Sequence, residues 1–184
     1  KRGDVEQKEG DLGFGVLAAL SEGDGNVEPW INLSEKKSGD GRAGLAHWLT
    51  DTGNGAGSLL ARVIVNRLWQ HHFGEGIVKT SDNFGSVGEK PSHPELLEWL
   101  AGELIRTGWN LKNMHRVIMS SAVYRQGTQW DEKRHAIDPE NKLLWRRTPR
   151  RMEGEIIRDS LMNSAGTLNR KMYGPSVKPW VSKD

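Results

Sequence analysis

The chain has 184 residues, 35% of them apolar, with 22 glycines, eight tryptophans, no cysteine and a formal net charge of +2. That length suits one core and one domain. The missing cysteine excludes disulfides, thiolate metal sites, thiol catalysis and covalent c-type haem attachment in this segment, so no cofactor is expected beyond a metal held by other ligands.

No apolar run approaches the roughly 18 residues of a membrane helix, so no membrane span is expected. No h-region opens the chain, and no signal peptide is expected in it. The start KRGDVEQ reads as the interior of a longer protein. Residues 1–39 are rich in Gly, Asp, Glu and Lys and read as an irregular N-terminal arm laid over a helical domain of residues 40–184. The RGD at 2–4 is three letters long and carries too little information to indicate adhesion.

A helix is predicted over 42–50, with Leu45, Ala46, Trp48 and Leu49 on its apolar side, and DTGNGAG breaks it. The next runs from an N-cap at Ser58 to a left-handed Gly74. Leu59, Leu60, Val63, Ile64, Arg67, Leu68 and His71 recur at spacings of three and four, placing Arg67 and His71 together on the apolar face. A long loop over 75–90 follows, with an Asx-type turn at Asp82 or Asn83 and Phe84 pinned to the core.

Ser92 and Glu95 have the spacing of a capping box, and Pro94 falls in the first turn. Leu96, Leu97, Leu100, Ala101, Leu104 and Ile105 form the stripe of that helix, which Gly108 ends. Asn110 caps the next, whose stripe is Leu111, Met114, Val117 and Ile118. A polar stretch leads to a last helix expected to start at Thr148 and Pro149 and to end at Gly166. The fold class is therefore all-α, a single helical domain with long ordered loops.

The runs ARVIVNRLWQHHFGEGIV, DNFGSVGEKPSHPELLEWLA, GWNLKNMHRVIMSSAVYRQ, DPENKLLWRR and RRMEGEIIRDSLMNSAG are long and specific. With them the sequence resembles a planctomycete-specific domain of unknown function. That domain lies C-terminal to a planctomycete cytochrome-c-type domain and a second uncharacterised domain. The loop DTGNGAGSLLARV departs from the family's shorter Asn-Pro turn. The resemblance implies an extracytoplasmic location, periplasmic or cell-surface, and other domains of the same polypeptide as partners, a haem-bearing one among them. It carries over no catalytic residue.

Four kinds of chemistry are open to these residues. A metal site could draw on His71, His72, Asp82 and His93, since imidazole and carboxylate suit transition metals. Adjacent histidines on a helix diverge, however. The plainer reading packs His71 in the core, places His72 as a cation at a helix C-terminus and makes His93 a first-turn residue. Acid–base hydrolysis needs two aligned carboxylates; Asp82, Glu89, Glu95 and Glu98 show no such spacing, and no nucleophile elbow or phosphate loop appears.

The third is basic. From Arg106 onward 16 Lys+Arg stand against 8 Asp+Glu, whereas the preceding residues carry 10 against 16. RRTPRR concentrates Arg146, Arg147, Arg150 and Arg151 at an expected helix start, where an anion, an acidic glycan or an acidic neighbouring domain would relieve the repulsion. Nucleic acid is not expected, because no recognised module is present. The fourth is aromatic. Trp48, Trp69, Trp99 and Trp109 fall beside helix stripes and read as core, whereas Trp130, Trp145 and Trp180 lie in polar surroundings and suit stacking on sugars or a partner.

The favoured function is a structural or interaction module that docks on neighbouring domains or binds an acidic ligand. The alternative is a metal-binding or hydrolytic site in the loop of residues 66–85 with His93. Arg67 is expected to point inward and to pair with a loop carboxylate.

Overall fold

In the computed structural model of the chain, residues 15–21, Trp30 and 41–174 are described. The RGD tripeptide, most of the 1–39 arm, Trp180 and the end of the tail lie outside them. Among the described residues there are helices and no strand, as the 3.6-residue patterning predicts. The α-helices are α1 (Gly41–Thr50), α2 (Gly57–Phe73), α3 (Pro94–Arg106), α4 (Leu111–Ser120), α5 (Ala122–Arg125), α6 (Glu132–Ile137) and α7 (Gly154–Ser164). The chain divides into two units, one up to Thr148 and one from Pro149 onward.

In the first unit α2 is the central element and packs on α1, α3 and α4. Ala61, Val65 and Trp69 of α2 meet Leu97, Leu100, Ala101 and Leu104 of α3 and Met114 and Ile118 of α4 in one buried cluster. Arg62 braces α2 to α3 with a two-point contact to Glu98, at 2.6 and 2.8 Å. The α3 stripe follows the sequence pattern. The α2 stripe does not: Ile64 and Leu68 only flank the core, and Arg67 and His71 are exposed. A second small cluster joins Trp30, Trp48 and Ala56, with Val16, Leu20 and Leu49 against it. Trp99, expected in the core, is 56% exposed, because α3 already buries four apolar residues on its opposite side.

Helix ends combine expected and unexpected caps. Asn110 accepts the Asn113 N–H at 3.1 Å, Gly74 adopts φ 98° after α2, and Pro94 opens α3. Ser58 is no cap. Instead α2 starts at Gly57, whose N–H donates to the Asp51 carbonyl, while Asp51 Oδ1 takes the Gly53 and Asn54 N–H groups. That Asx turn and the Trp30 indole N–H on Oδ2 hold the Asp51 carboxyl below its usual range. Ser92 forms no capping box either. Its N–H and hydroxyl both donate to the Ile77 carbonyl, leaving His93 as an N-cap whose side chain makes no capping bond to the helix.

In the second unit the helix begins at Gly154, six residues later than predicted from Thr148. Arg150 and Arg151 would face the positive end of a helix begun at Pro149, whereas Glu153 and Glu155 suit that end. Gly166, at φ 70°, terminates it as expected.

The loop between α2 and α3 enters the core through Ile77 and Val78, both nearly inaccessible. A loop has no ladder to satisfy its buried amides. Asn66, itself fully buried, supplies the partners: Oδ1 accepts the Val78 N–H at 2.8 Å and Nδ2 donates to the Val78 carbonyl at 3.0 Å. Gly76 lets the chain pass close by, since a Cβ there would lie 2.6 Å from the Val78 carbonyl oxygen and 2.7 Å from Asn66 Nδ2. Arg67, one residue on, does pair with a loop carboxylate, Asp82, at 3.0 Å. The pair lies outside, with side chains 56% and 93% exposed, so the expectation of an inward Arg67 is corrected. Asn66→Ala is expected to lower unfolding stability by about 2–4 kcal/mol, since each orphaned buried group costs roughly 1–3 kcal/mol. Arg67→Ala should stay within about 1 kcal/mol, as an exposed pair does. Urea unfolding of the two variants checks both values, and an inverted order would contradict the assignment.

Candidate functional site

The residues proposed for a metal site are held apart by their partners. His71 is exposed, Asp82 is tied to Arg67, and His93 Nδ1 lies 3.0 Å from its neighbour Ser92 Oγ. His72 turns the other way, towards α4. Among the described residues no three of His, Asp and Glu are grouped to hold a metal ion. The carboxylates are separately engaged as well, Asp82 by Arg67 and Glu98 by Arg62.

His72, not His71, is the half-buried histidine of α2. Its Nε2 lies 2.8 Å from Nδ1 of His115 on α4, so one ring donates and the other accepts. The sequence offered no pairing signal, because 43 residues separate them. Tyr124 of α5 closes the cluster, its ring meeting His72 edge-on at 5.3 Å and Phe73 at 5.9 Å. Arg147 lies over the Tyr124 ring at 3.9 Å and donates to the Tyr124 carbonyl at 2.7 Å. Burial depresses the pKa of His72, and His115, Arg147 and His71 add to the effect.

Beyond Tyr124 the chain builds a groove from loop polar groups. Asp131 caps α6 by accepting the Lys133 and Arg134 N–H groups. The buried Asp138 accepts N–H groups from Lys142 and Leu143 at 2.9 and 2.7 Å, and its carbonyl takes the Trp145 indole N–H at 3.0 Å. Asn141, in the left-handed region at φ 55°, grips Arg146 through both backbone groups. Gln126 donates to the Leu144 carbonyl at 2.7 Å, and the Arg147 N–H donates to the Gly127 carbonyl at 2.9 Å. These bonds set the direction of Trp145 and Arg146.

The Arg146 guanidinium carbon sits 4.9 Å from the Trp130 ring centre and 5.1 Å from that of Trp145. The two indoles meet edge to face at 6.0 Å, and His135 leans on Trp130 at 4.2 Å. An open groove of about 380 Å³ lies here, lined by Trp130, Trp145 and Arg146 with Gln126, Gly127, Gln129, Asp131 and Arg134. Arg146 Nε and His135 Nδ1 are buried without a hydrogen-bond partner among the described residues. Cation–π contact with both rings holds the guanidinium in place.

The expected basic patch is thus divided. Arg146 lines the groove and Arg147 serves Tyr124, while Arg150 and Arg151 belong to the second unit, on the extended run before α7. The sequence reading singled out Trp130, Trp145 and Arg146 separately. It missed α6, Asp138 and Asn141, which organise them; a DPEN run between two tryptophans was the available signal.

A family model described as PSD1, protein of unknown function (DUF1553), matches residues 41–184, well over half the chain. Comparison with curated proteins and with solved structures gave no match.

The His72 pair sets a pH dependence. Unfolded histidine titrates near 6.5, whereas folded His72 titrates lower, so the unfolded chain binds more protons below that pH. The contribution is complete above about 6.5 and is lost as pH falls from there through the lower folded value. His72→Gln, which retains a donor towards His115, should flatten this fall in urea midpoints between about pH 7 and about pH 5. An unchanged slope would show that other groups dominate.

Proposed function

We propose a function on this footing: the chain belongs to the PSD1 family of unknown function, which assigns it no reaction, so geometry carries the reading. The protein is an interaction module that recognises an acidic ligand or an acidic surface of a neighbouring domain. One observation carries this: Arg146 rests against both Trp130 and Trp145 at an open groove, with no ion-pair partner among the described residues. A fixed guanidinium matches carboxylate or sulfate geometry and loses little freedom on binding. Tryptophan and arginine together are also the residue types that concentrate binding energy.

The setting proposed for the module rests on the motif resemblance. It is a larger extracytoplasmic bacterial protein of planctomycete type, in which a separate domain bears haem. Haem would belong to that neighbour, because this chain has no cysteine for covalent attachment. No described helix is long and apolar enough to cross a membrane. In this reading residues 40–184 act as the docking part and the preceding arm as its connection.

The test is chromatography of the 184-residue chain on immobilised dextran sulfate. The wild type should be retained and elute as salt rises, because screening shortens the reach of exposed charge. Arg146→Ala should elute earlier than wild type, and earlier than Arg116→Ala, a control for loss of one exposed charge. Equal elution of the two variants would remove the groove from the account.

A further inference from the structure

We infer that the Trp130–Trp145–Arg146 groove is a saccharide subsite for a sugar acid, taking one uronate ring with its carboxylate on Arg146. This deepens the acidic-ligand reading and rests on it. The charge balance at the groove is the first ground. Asp131 is already compensated, by the Lys133 and Arg134 N–H groups and by the Arg134 guanidinium at 3.5 Å. Arg146 has no carboxylate partner among the described residues. The groove lining thus carries one positive charge without a carboxylate beside it among the described residues, which suits a ligand with a single acid group.

The second ground is the wall beside that charge. Trp130 is 56% exposed although Arg146 and His135 both lean on it. A carboxylate alone covers none of that indole. A pyranose ring bearing the carboxylate does, by laying its C–H groups on the aromatic surface while the acid reaches the guanidinium. An aspartate or glutamate side chain has no such flat body.

The third ground is the polar complement. Gln126 spends its amide N–H on the Leu144 carbonyl, which leaves its own Oε1 as an acceptor for a hydroxyl. Gln129 lines the same groove and makes no side-chain hydrogen bond among the described residues. Two amides beside a cation and an indole match several hydroxyls, one acid and an apolar face on a single ring. A Cβ at Gly127 would meet nothing nearer than 4.0 Å, so the approach past it is open. The groove volume of about 380 Å³ lies within the range of small-ligand sites, roughly 300–1,000 Å³.

The experiment is calorimetric titration of the 184-residue chain with trigalacturonate, with its fully methyl-esterified form and with hexaglutamate. Trigalacturonate should bind, and the neutral ester should bind at least about tenfold more weakly, as loss of a charge-assisted contact implies. Trp130→Ala should weaken trigalacturonate about tenfold, because the apolar face that the sugar ring covers is lost. Arg146→Lys should also weaken it, because a point charge replaces the planar fork. Circular dichroism of both variants shows whether they remain folded. Hexaglutamate binding as tightly as trigalacturonate, with the same Arg146 dependence and none on Trp130, would overturn the saccharide assignment while leaving the acidic-ligand reading in place. No binding by either anion would overturn both.

Discussion

The structure turns on one buried side chain. Asn66 meets the N–H and the carbonyl of Val78 at once, as a neighbouring strand would, in a unit with no strand among the described residues. Without that partner, Ile77 and Val78 could not enter the core, because their apolar burial would strand backbone groups away from water. With it, the loop after α2 becomes part of the core. The Ile77 carbonyl can then receive Ser92, which sets where α3 begins. Gly76 is the steric condition of the same contact.

The fixed C-terminal end of α2 passes its order onward. His72 and Phe73 pack on Tyr124, and Tyr124 receives Arg147 on its ring and on its carbonyl. From there Asp138 and Asn141 repeat the device used by Asn66, giving loop backbone groups side-chain partners and thereby aiming Trp145 and Arg146. The groove is therefore not an accident of an exposed loop. Trp145 and the Arg146 backbone are held by hydrogen bonds to Asp138 and Asn141, and Trp130 packs on them through its ring.

Much of the helical frame was legible beforehand. The α3 stripe, the Asn110 cap, Pro94 at the first turn and the stops at Gly74, Gly108 and Gly166 are local signals, and local physics decides them. What stayed hidden depends on contacts distant in sequence. Nothing in NRLW marks Asn66 as the buried polar residue and Arg67 as the exposed one, because amphipathic periodicity has no entry for a polar side chain that replaces a strand. His71 and His72 were read in the wrong order for the same reason: the partner that draws His72 inward is His115, on another helix. Ser58 and Ser92 looked like caps but lost that role to backbone contacts across loops. Of the site, its residue types were visible in RRTPRR and in the late tryptophans. The contact of Arg146 with both indoles was not, since it needs Trp130 and Trp145 brought together by α6 and the Asp138 turn.

Amide hydrogen exchange at Val78, followed beside the Leu104 amide of α3, tests the central claim most directly. If Asn66 makes this loop part of the core, the Val78 amide exchanges only through global unfolding, at the same opening free energy as Leu104. Exchange of Val78 at the rate of an exposed loop amide, with Leu104 still protected, would contradict the clamp and the order of assembly built on it.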